Sequence, residues 1–220
     1  MTVLQLKDIS YSYPTKRNVL QDINLNFEKG KIYSITGKSG GGKTTLLSLL
    51  AGLDVTTDGE VLFNGDDLDK IDRYKYRAKN VGVIFQSYNL LPSFTAAENI
   101  TMSLDASGMR ISKPQRKELI NQLLDVVNLE REYAKVPVGH MSGGQQQRIA
   151  IARALCYGPD VILADEPTGN LDSDTQDDIL EIFTRLAHDE NKCVIIVTHS
   201  KEVAEVCDEQ IRISKGRIIS

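Results

Sequence analysis

Gly37-Lys38-Ser39-Gly40-Gly41-Gly42-Lys43-Thr44 matches the pattern G-x-x-x-x-G-K-[ST] at every position. Ahead of it runs Ile32-Tyr33-Ser34-Ile35-Thr36, a short strand-like stretch. Behind it, Thr45-Leu46-Leu47-Ser48-Leu49-Leu50-Ala51 has helix composition and meets Gly52 where a C-terminal cap belongs. Strand, glycine loop and helix in that order make a phosphate-binding loop. The glycines let backbone N–H groups turn inward with no Cβ in the way, and the helix N-terminus adds free donors and the positive end of its dipole. In such a loop Lys43 reaches the terminal phosphates and the Thr44 hydroxyl is placed to ligate Mg²⁺. A flexible glycine-rich turn is the bland alternative, and it does not account for the strand and helix on either side.

The 220 residues suffice for one domain with a large core, or a domain with a small subdomain. Hydrophobic residues at 41% and charged residues at 25% are ordinary for a soluble globular protein. The net charge of −4, from 26 basic and 30 acidic residues, argues against a chiefly electrostatic nucleic-acid binder. Cys156, Cys193 and Cys207 have no paired or metal-like spacing and read as reduced thiols of a cytosolic protein. Residues 1–10 alternate polar and apolar, so no signal peptide is expected. No apolar run approaches the roughly 18 residues of a membrane span, and any membrane role is expected to come through a partner.

Val3–Ile9, Asp22–Phe27 and Glu60–Phe63 read as strands of an antiparallel sheet beside the loop, with Asn64-Gly65 as a turn. Val81–Phe85 reads as a buried strand ending at Gln86. Residues 87–140 read as a helical insertion, with one helix from Ala96 to about Ser107 and a second starting near Pro114. The last third alternates: strand Val161–Ala164, amphipathic helix Asp172–Asp189, strand Val194–Val197, helix Lys201–Val206 and an edge strand Gln210–Ser214. Continuous apolar strands separated by helices predict an α/β fold with a mainly parallel sheet covered on both faces.

Two further stretches carry chemistry. Asp165-Glu166 ends a buried strand, where open α/β sheets bind ligands. Asp165 suits Mg²⁺, and Glu166 suits polarising a water aimed at a γ-phosphate. Ser142-Gly143-Gly144-Gln145 precedes a strongly helical run and forms a capping box, Ser-x-x-Gln. Capping alone does not require two glycines, each of which lowers helix propensity by about 1 kcal/mol. The pair predicts close approach to the backbone, and with Ser142 a second anion-binding helix start.

With the phosphate loop, Gln86, Met141-Ser142-Gly143-Gly144-Gln145, Ile162-Leu163-Ala164-Asp165-Glu166-Pro167, Asn170-Leu171-Asp172 and Thr198-His199 in this order, the chain resembles an ATP-binding cassette (ABC) transporter ATPase over its whole length. Gly143–Arg148 and Pro167–Ser173 look most like the subgroup containing MacB, LolD and FtsE. The resemblance implies a phosphate-loop NTPase core with an antiparallel β-subdomain and an α-helical subdomain, in one nucleotide-binding domain over residues 1–220 with the helical part at about 87–157. It implies ATP and Mg²⁺ as cofactors. ATP would be held by Gly37, Lys38, Ser39, Gly40, Gly41, Gly42, Lys43, Thr44 and Thr45. Tyr13 would stack on adenine, with Tyr11 as the rival. Mg²⁺ would be bound by Thr44, Gln86 and Asp165. Glu166, His199, Gln86 and Lys43 would be catalytic: Glu166 as base, His199 as the switch histidine on the γ-phosphate, Gln86 sensing Mg²⁺ and water. Asp172 matches the aspartate of the loop between subunits and also suits an N-cap.

The resemblance further implies a homodimer formed on ATP, each nucleotide lying between the phosphate loop of one copy and Ser142–Gln145 of the other. It implies an integral membrane permease of the MacB or FtsX kind, met near Gln86 and Ser87–Phe94, although those apolar residues equally suit subdomain core. The expected location is the cytoplasmic face of the membrane. Export or extraction of a peptide, lipoprotein or drug is the transport reading; an FtsE-like signal to a cell-wall hydrolase is the alternative. Met141, Gly41, Thr45, Ala164 and Lys201 depart from the commoner family residues, and none of them removes a catalytic group. A soluble ABC ATPase of DNA repair or translation would need a coiled-coil insertion, a second cassette or a basic face, none of which the sequence displays.

Overall fold

The computed structural model describes residues 1–14 and 16–219. Strand β1 (Thr2–Tyr13) pairs antiparallel with β2 (Lys16–Glu28), with Leu6 opposite Leu25 and Ile9 opposite Ile23. Next come β3 (Lys31–Thr36), α1 (Lys43–Leu50), β4 (Asp58–Phe63), the two-residue β5 (Asp66–Asp67), α2 (Arg73–Lys79) and β6 (Val81–Ile84). Helices α3 (Ala96–Ala106) and α4 (Lys113–Val126) follow, then two 3-10 turns at Arg131–Lys135 and Val138–His140, then α5 (Gly143–Leu155). The chain ends with β7 (Val161–Asp165), α6 (Ser173–His188), β8 (Cys193–Val197), α7 (Lys201–Glu205), β9 (Glu209–Ser214) and β10 (Arg217–Ile219).

Two sheets result, a four-stranded one in the order β2-β1-β4-β5 and a six-stranded one in the order β10-β9-β3-β8-β7-β6. In the second, β3, β6, β7, β8 and β9 run parallel, so their C-terminal ends share one edge. Successive strand residues face opposite sides. Ile162, Ala164, Val194 and Ile196 pack with α3–α6, while Leu163, Ile195 and Val197 pack with α1 and the antiparallel sheet. This division into two apolar layers is why the central strands read as unbroken hydrophobic runs.

The Gln210–Ser214 expectation needs correction. β9 lies between β3 and β10, because the Lys215-Gly216 turn returns the chain as a further antiparallel strand, with Ile218 opposite Ile213. Helix α2 was not expected. It is short and buries only Tyr76, whose hydroxyl donates to the Leu50 carbonyl at 2.8 Å, so it lacks an apolar stripe. Its one sequence signal is the N-cap Asp72, which accepts from the N–H groups of Tyr74 and Lys75. No helix among the described residues is long and apolar enough to cross a membrane.

Candidate active site

The parallel register sets the site. Ile35 lies beside Val197, Val197 beside Asp165, and Ala164 beside Ile84. The residues that follow these four strands therefore emerge side by side: the phosphate loop after β3, His199 after β8, Glu166 after β7 and Gln86 after β6. They surround a cavity of about 400 Å³. Its wall holds Gly37, Ser39, Gly40, Gly42, Lys43, Thr44 and Thr45 on one side, and Gln86, Asp165, Glu166 and His199 on the other, with Tyr13 at its mouth. Lys38 and Gly41 belong to the loop but not to this lining.

Helix α1 starts differently from every other α-helix described. Asp72, Thr95, Ser112, Ser142, Asp172 and Ser200 cap the other six with a side-chain oxygen. The α1 N-cap is Gly42, which offers none. Its φ of 108° is left-handed backbone that a side chain opposes, and a Cβ there would stand 2.8 Å from Leu20 Cδ2. The first-turn N–H groups are thus left for an anion. The Lys43 ammonium lies over the loop and donates to the Gly37 carbonyl at 2.8 Å.

Opposite stand the carboxylates. Burial, then the neighbouring Glu166 charge, pushes the Asp165 carboxyl above the usual carboxylate range, partly offset by Lys43. Glu166 has φ 47°, a strained value for a residue with a side chain. Its N–H donates to the Val197 carbonyl at 2.9 Å. Its Oε1 accepts from His199 Nδ1 at 2.8 Å, and its Oε2 from the His199 backbone N–H at 3.3 Å. The carboxylate is aimed by the residue that follows β8, and the imidazole, bonded through Nδ1, is exposed.

Of the two tyrosines, Tyr13 lines the cavity, its hydroxyl 3.4 Å from Thr45 Oγ1, while Tyr11 is buried behind it in an edge-to-face pair with centroids 4.9 Å apart. Val19, from β2, also lines the cavity. Nothing in its local sequence marks it out, since only the β1–β2 hairpin brings it there.

Ser142, Gly143, Gly144, Gln145 and Asp172 are not in this lining. The α5 start is closed on itself. Gln145 N–H donates to Ser142 Oγ at 3.3 Å, Ser142 N–H to Gln145 Oε1 at 2.9 Å, and Gln145 Nε2 to the Tyr133 hydroxyl at 2.9 Å. Part of the need for glycine is internal, because a Cβ at Gly144 would stand 2.5 Å from Thr175 Cγ2. Asp172 caps α6, accepting from Thr175 N–H at 3.0 Å and from its hydroxyl at 2.9 Å, bonds that hold its carboxyl below the ordinary value.

An uncapped glycine-loop helix, a lysine over the loop and two carboxylates at the end of the next strand but one define an ATPase of the phosphate-loop class. The family described as ABC transporter matches residues 20–169, and the chain belongs to that family. It is 46% identical over 98% of its length, and 95% of the relative's, to the uncharacterized ABC transporter ATP-binding protein YclH of Bacillus subtilis. It is 39% identical to the lipoprotein-releasing system ATP-binding protein LolD 1 of Chlorobium chlorochromatii, over 99% of this chain and 90% of that one. The cassette MJ0796 of Methanocaldococcus jannaschii, solved as a dimer, superposes with a TM-score of 0.89 at 35% identity, covering 99% of this chain and 97% of that one. A post-hydrolysis state of that cassette, bound to ADP and Pi, superposes at 0.88 with the same identity and coverage. The chain is an ATP-binding, ATP-hydrolysing subunit of an ABC transporter.

Proposed function

We propose that two copies of the chain pair head to tail around two ATP molecules and so drive a separate membrane permease. What supports this reading is an uncapped nucleotide cavity formed by four strand ends, from whose lining Ser142–Gln145 is absent, together with the similarity to the MJ0796 cassette, which was solved as a dimer. That cavity holds ATP with its phosphates on Gly37–Thr45 and its base at Tyr13. Ser142–Gln145 of the second copy closes the other side, with Asp172 at the seam.

Among the described residues no cluster of three or more His, Cys, Asp or Glu side chains is placed to bind a metal. The donors at hand are hard oxygens, the Thr44 hydroxyl, the Asp165 carboxylate and the Gln86 amide, and with phosphate oxygens they fit Mg²⁺. When bound, that ion supplies charge neutralisation along the phosphates. Lys43 leaves the Gly37 carbonyl for the γ-phosphate. Glu166, aimed by His199, takes a proton from water as its oxygen bonds to the γ-phosphorus and the bond to the bridging oxygen of ADP breaks. His199 Nε2 faces the transferred phosphate.

The permease seat is the segment after Gln86. Leu90 packs on the helical core, but Leu91 and Phe94 are each 41% exposed. The buried Asn99 side chain holds them out by bonding the Leu91 N–H at 2.8 Å and the Phe94 and Thr95 carbonyls. The helical part also carries a groove of about 320 Å³ lined by Ala97, Ile120 and Ala134 and by the basic Lys113, Lys117 and Lys135. This suits an amphipathic helix with acidic side chains. In the transport reading the permease exports or extracts a peptide, lipoprotein or drug; in the FtsE-like reading it signals to a cell-wall hydrolase. The extracytoplasmic domain of the co-purifying membrane subunit separates the two, and lack of such a subunit sinks both.

Glu166→Gln tests the engine. It is expected to lower turnover by about 10²–10⁴-fold and to form a stable dimer with MgATP by light scattering. Adding Ser142→Arg is expected to block the dimer while the monomer still binds nucleotide. Near-normal turnover, or Glu166→Gln remaining monomeric with MgATP, refutes the assignment.

A further inference from the structure

Arg153 has no part in the cavity and no carboxylate partner among the described residues. Its guanidinium instead serves two adjacent main-chain carbonyls, donating from Nη2 to Tyr88 O at 2.8 Å and from Nη1 to Asn89 O. These carbonyls belong to an unusual turn. Tyr88 and Asn89 both have left-handed backbone, with φ 61° and 50°, in a segment without glycine. Each such residue costs about 1 kcal/mol or more, and the conformation persists only where its surroundings impose it. The bonds within the turn, Ser87 Oγ to Asn89 Oδ1 at 2.9 Å and Asn89 N–H to Ser87 O at 2.6 Å, shape it without fixing it to the rest of the fold. Arg153 does that, from the last turn of α5.

The same turn also touches the other end of α5. A Cβ at Gly143 would lie 3.2 Å from the Tyr88 hydroxyl. Tyr88 and Asn89 are therefore held along α5 over the roughly 16 Å between Ser142 and Arg153. Tyr88 N–H donates to the Phe85 carbonyl at 3.0 Å across Gln86. Gln86 lines the nucleotide cavity, and its own carbonyl accepts from Asn170 Nδ2 at 3.4 Å.

We propose that Arg153 is a positioning residue that locks Gln86 and the Ser142 helix start into one rigid unit, so that nucleotide sensed at Gln86 sets the angle at which Ser142–Gln145 meets a second copy. This deepens the two-copy reading and rests on it. Lysine at 153 keeps the charge and most of the length but cannot serve both carbonyls from a rigid fork.

The test uses Arg153→Lys in the Glu166→Gln chain. Three quantities are read: affinity of the monomer for MgATP, the MgATP concentration at half-dimerisation, and Tm. Monomer affinity is expected to stay within about twofold, because Arg153 does not touch the cavity. The half-dimerisation concentration is expected to rise by about tenfold or more, within the usual range of coupling between sites. Tyr88→Phe, which removes only the hydroxyl beside Gly143, is expected to shift it the same way by less. A merely structural strut would lower Tm in Arg153→Lys and leave half-dimerisation unchanged, which overturns the inference while the parent still dimerises. A parent Glu166→Gln chain that stays monomeric overturns the two-copy reading and this inference together.

Discussion

Two helices of this protein begin in glycine-rich turns, and they use their glycines in opposite ways. At α1 the turn leaves its donors open. Gly42 occupies the N-cap with no side chain to give, and the Lys43 ammonium rests on a backbone carbonyl. At α5 the capping groups are engaged with each other: Ser142 and Gln145 bond each other's backbone, and Gly144 makes room for Thr175 of the neighbouring helix. An open helix start binds an anion by itself, because its N–H groups have nothing to give up. A capped one already has a first-turn N–H taken by its own side chain, so it offers an anion less and its contribution waits for a ligand that another surface has already immobilised. In the two-copy reading proposed above, the first start is the binding site and the second is the lid offered to a partner.

The sharpest way to break this contrast is to remove the cation from the open start. Lys43→Ala is expected to weaken MgATP binding by about 100-fold, or about 2.7 kcal/mol, the size of a charge-assisted hydrogen bond to phosphate. Titration of the isolated chain with a fluorescent nucleotide measures it. Unchanged affinity would place the binding energy elsewhere and remove the difference between the two turns.

A smaller effect tests the closed start. If Gly144 is small for Thr175, then Gly144→Ala overpacks that contact by about 1–3 kcal/mol and lowers Tm by about 2–12 °C at this chain length. Thr175→Ser deletes the opposing methyl and keeps the hydroxyl that bonds Asp172. It is expected to be near-neutral alone and to recover most of the loss in the double variant. Without that recovery, the glycine serves something outside the chain, as the sequence alone led us to expect.

The contrast itself could not be read from the sequence. The phosphate loop was legible because strand, loop and helix are contiguous and each obeys local rules. The Asp165-Glu166 pair was legible because it follows an apolar run at the end of a parallel strand, whereas His199 stood out only through the family resemblance. The closed state of Ser142–Gln145 was half legible: the capping box is a local pattern, but Thr175 is more than thirty positions away and only the packing of α6 on α5 brings it to Gly144. Val19 and the Arg153 clamp on Tyr88 and Asn89 left no local trace, since both depend on tertiary placement. The β10 strand was missed for another reason. Arg217–Ile219 is too short to show alternation, and its pairing partner, not its composition, makes it a strand.

The smallest effect concerns charge. The open site carries an electrostatic cost that the closed one does not, because burial and the Glu166 charge disfavour the ionised form of the Asp165 carboxyl. A carboxyl whose folded pKa is raised binds protons more tightly folded than unfolded. The native state therefore loses stability as pH rises from the ordinary value of 3.8 through the folded one, and the full cost is present above that. Asp165→Asn removes the charge. At pH 7–8 it is expected to raise Tm of the nucleotide-free chain on the order of 1–2 °C, allowing for the half-exposed position, while abolishing MgATP hydrolysis. The gain is expected to shrink as pH falls through the folded pKa toward the ordinary value, because protonation of the native carboxyl leaves less cost to relieve. At the closed start the sign reverses: Ser142→Ala only removes a cap and lowers Tm at every pH. Scanning calorimetry of both variants from pH 4 to 8 reads the two signs directly. A Tm for Asp165→Asn at or below that of the parent across the range would mean that the carboxylate is as settled in the free chain as the capping box, and the open site would then lack the strain that sets it apart.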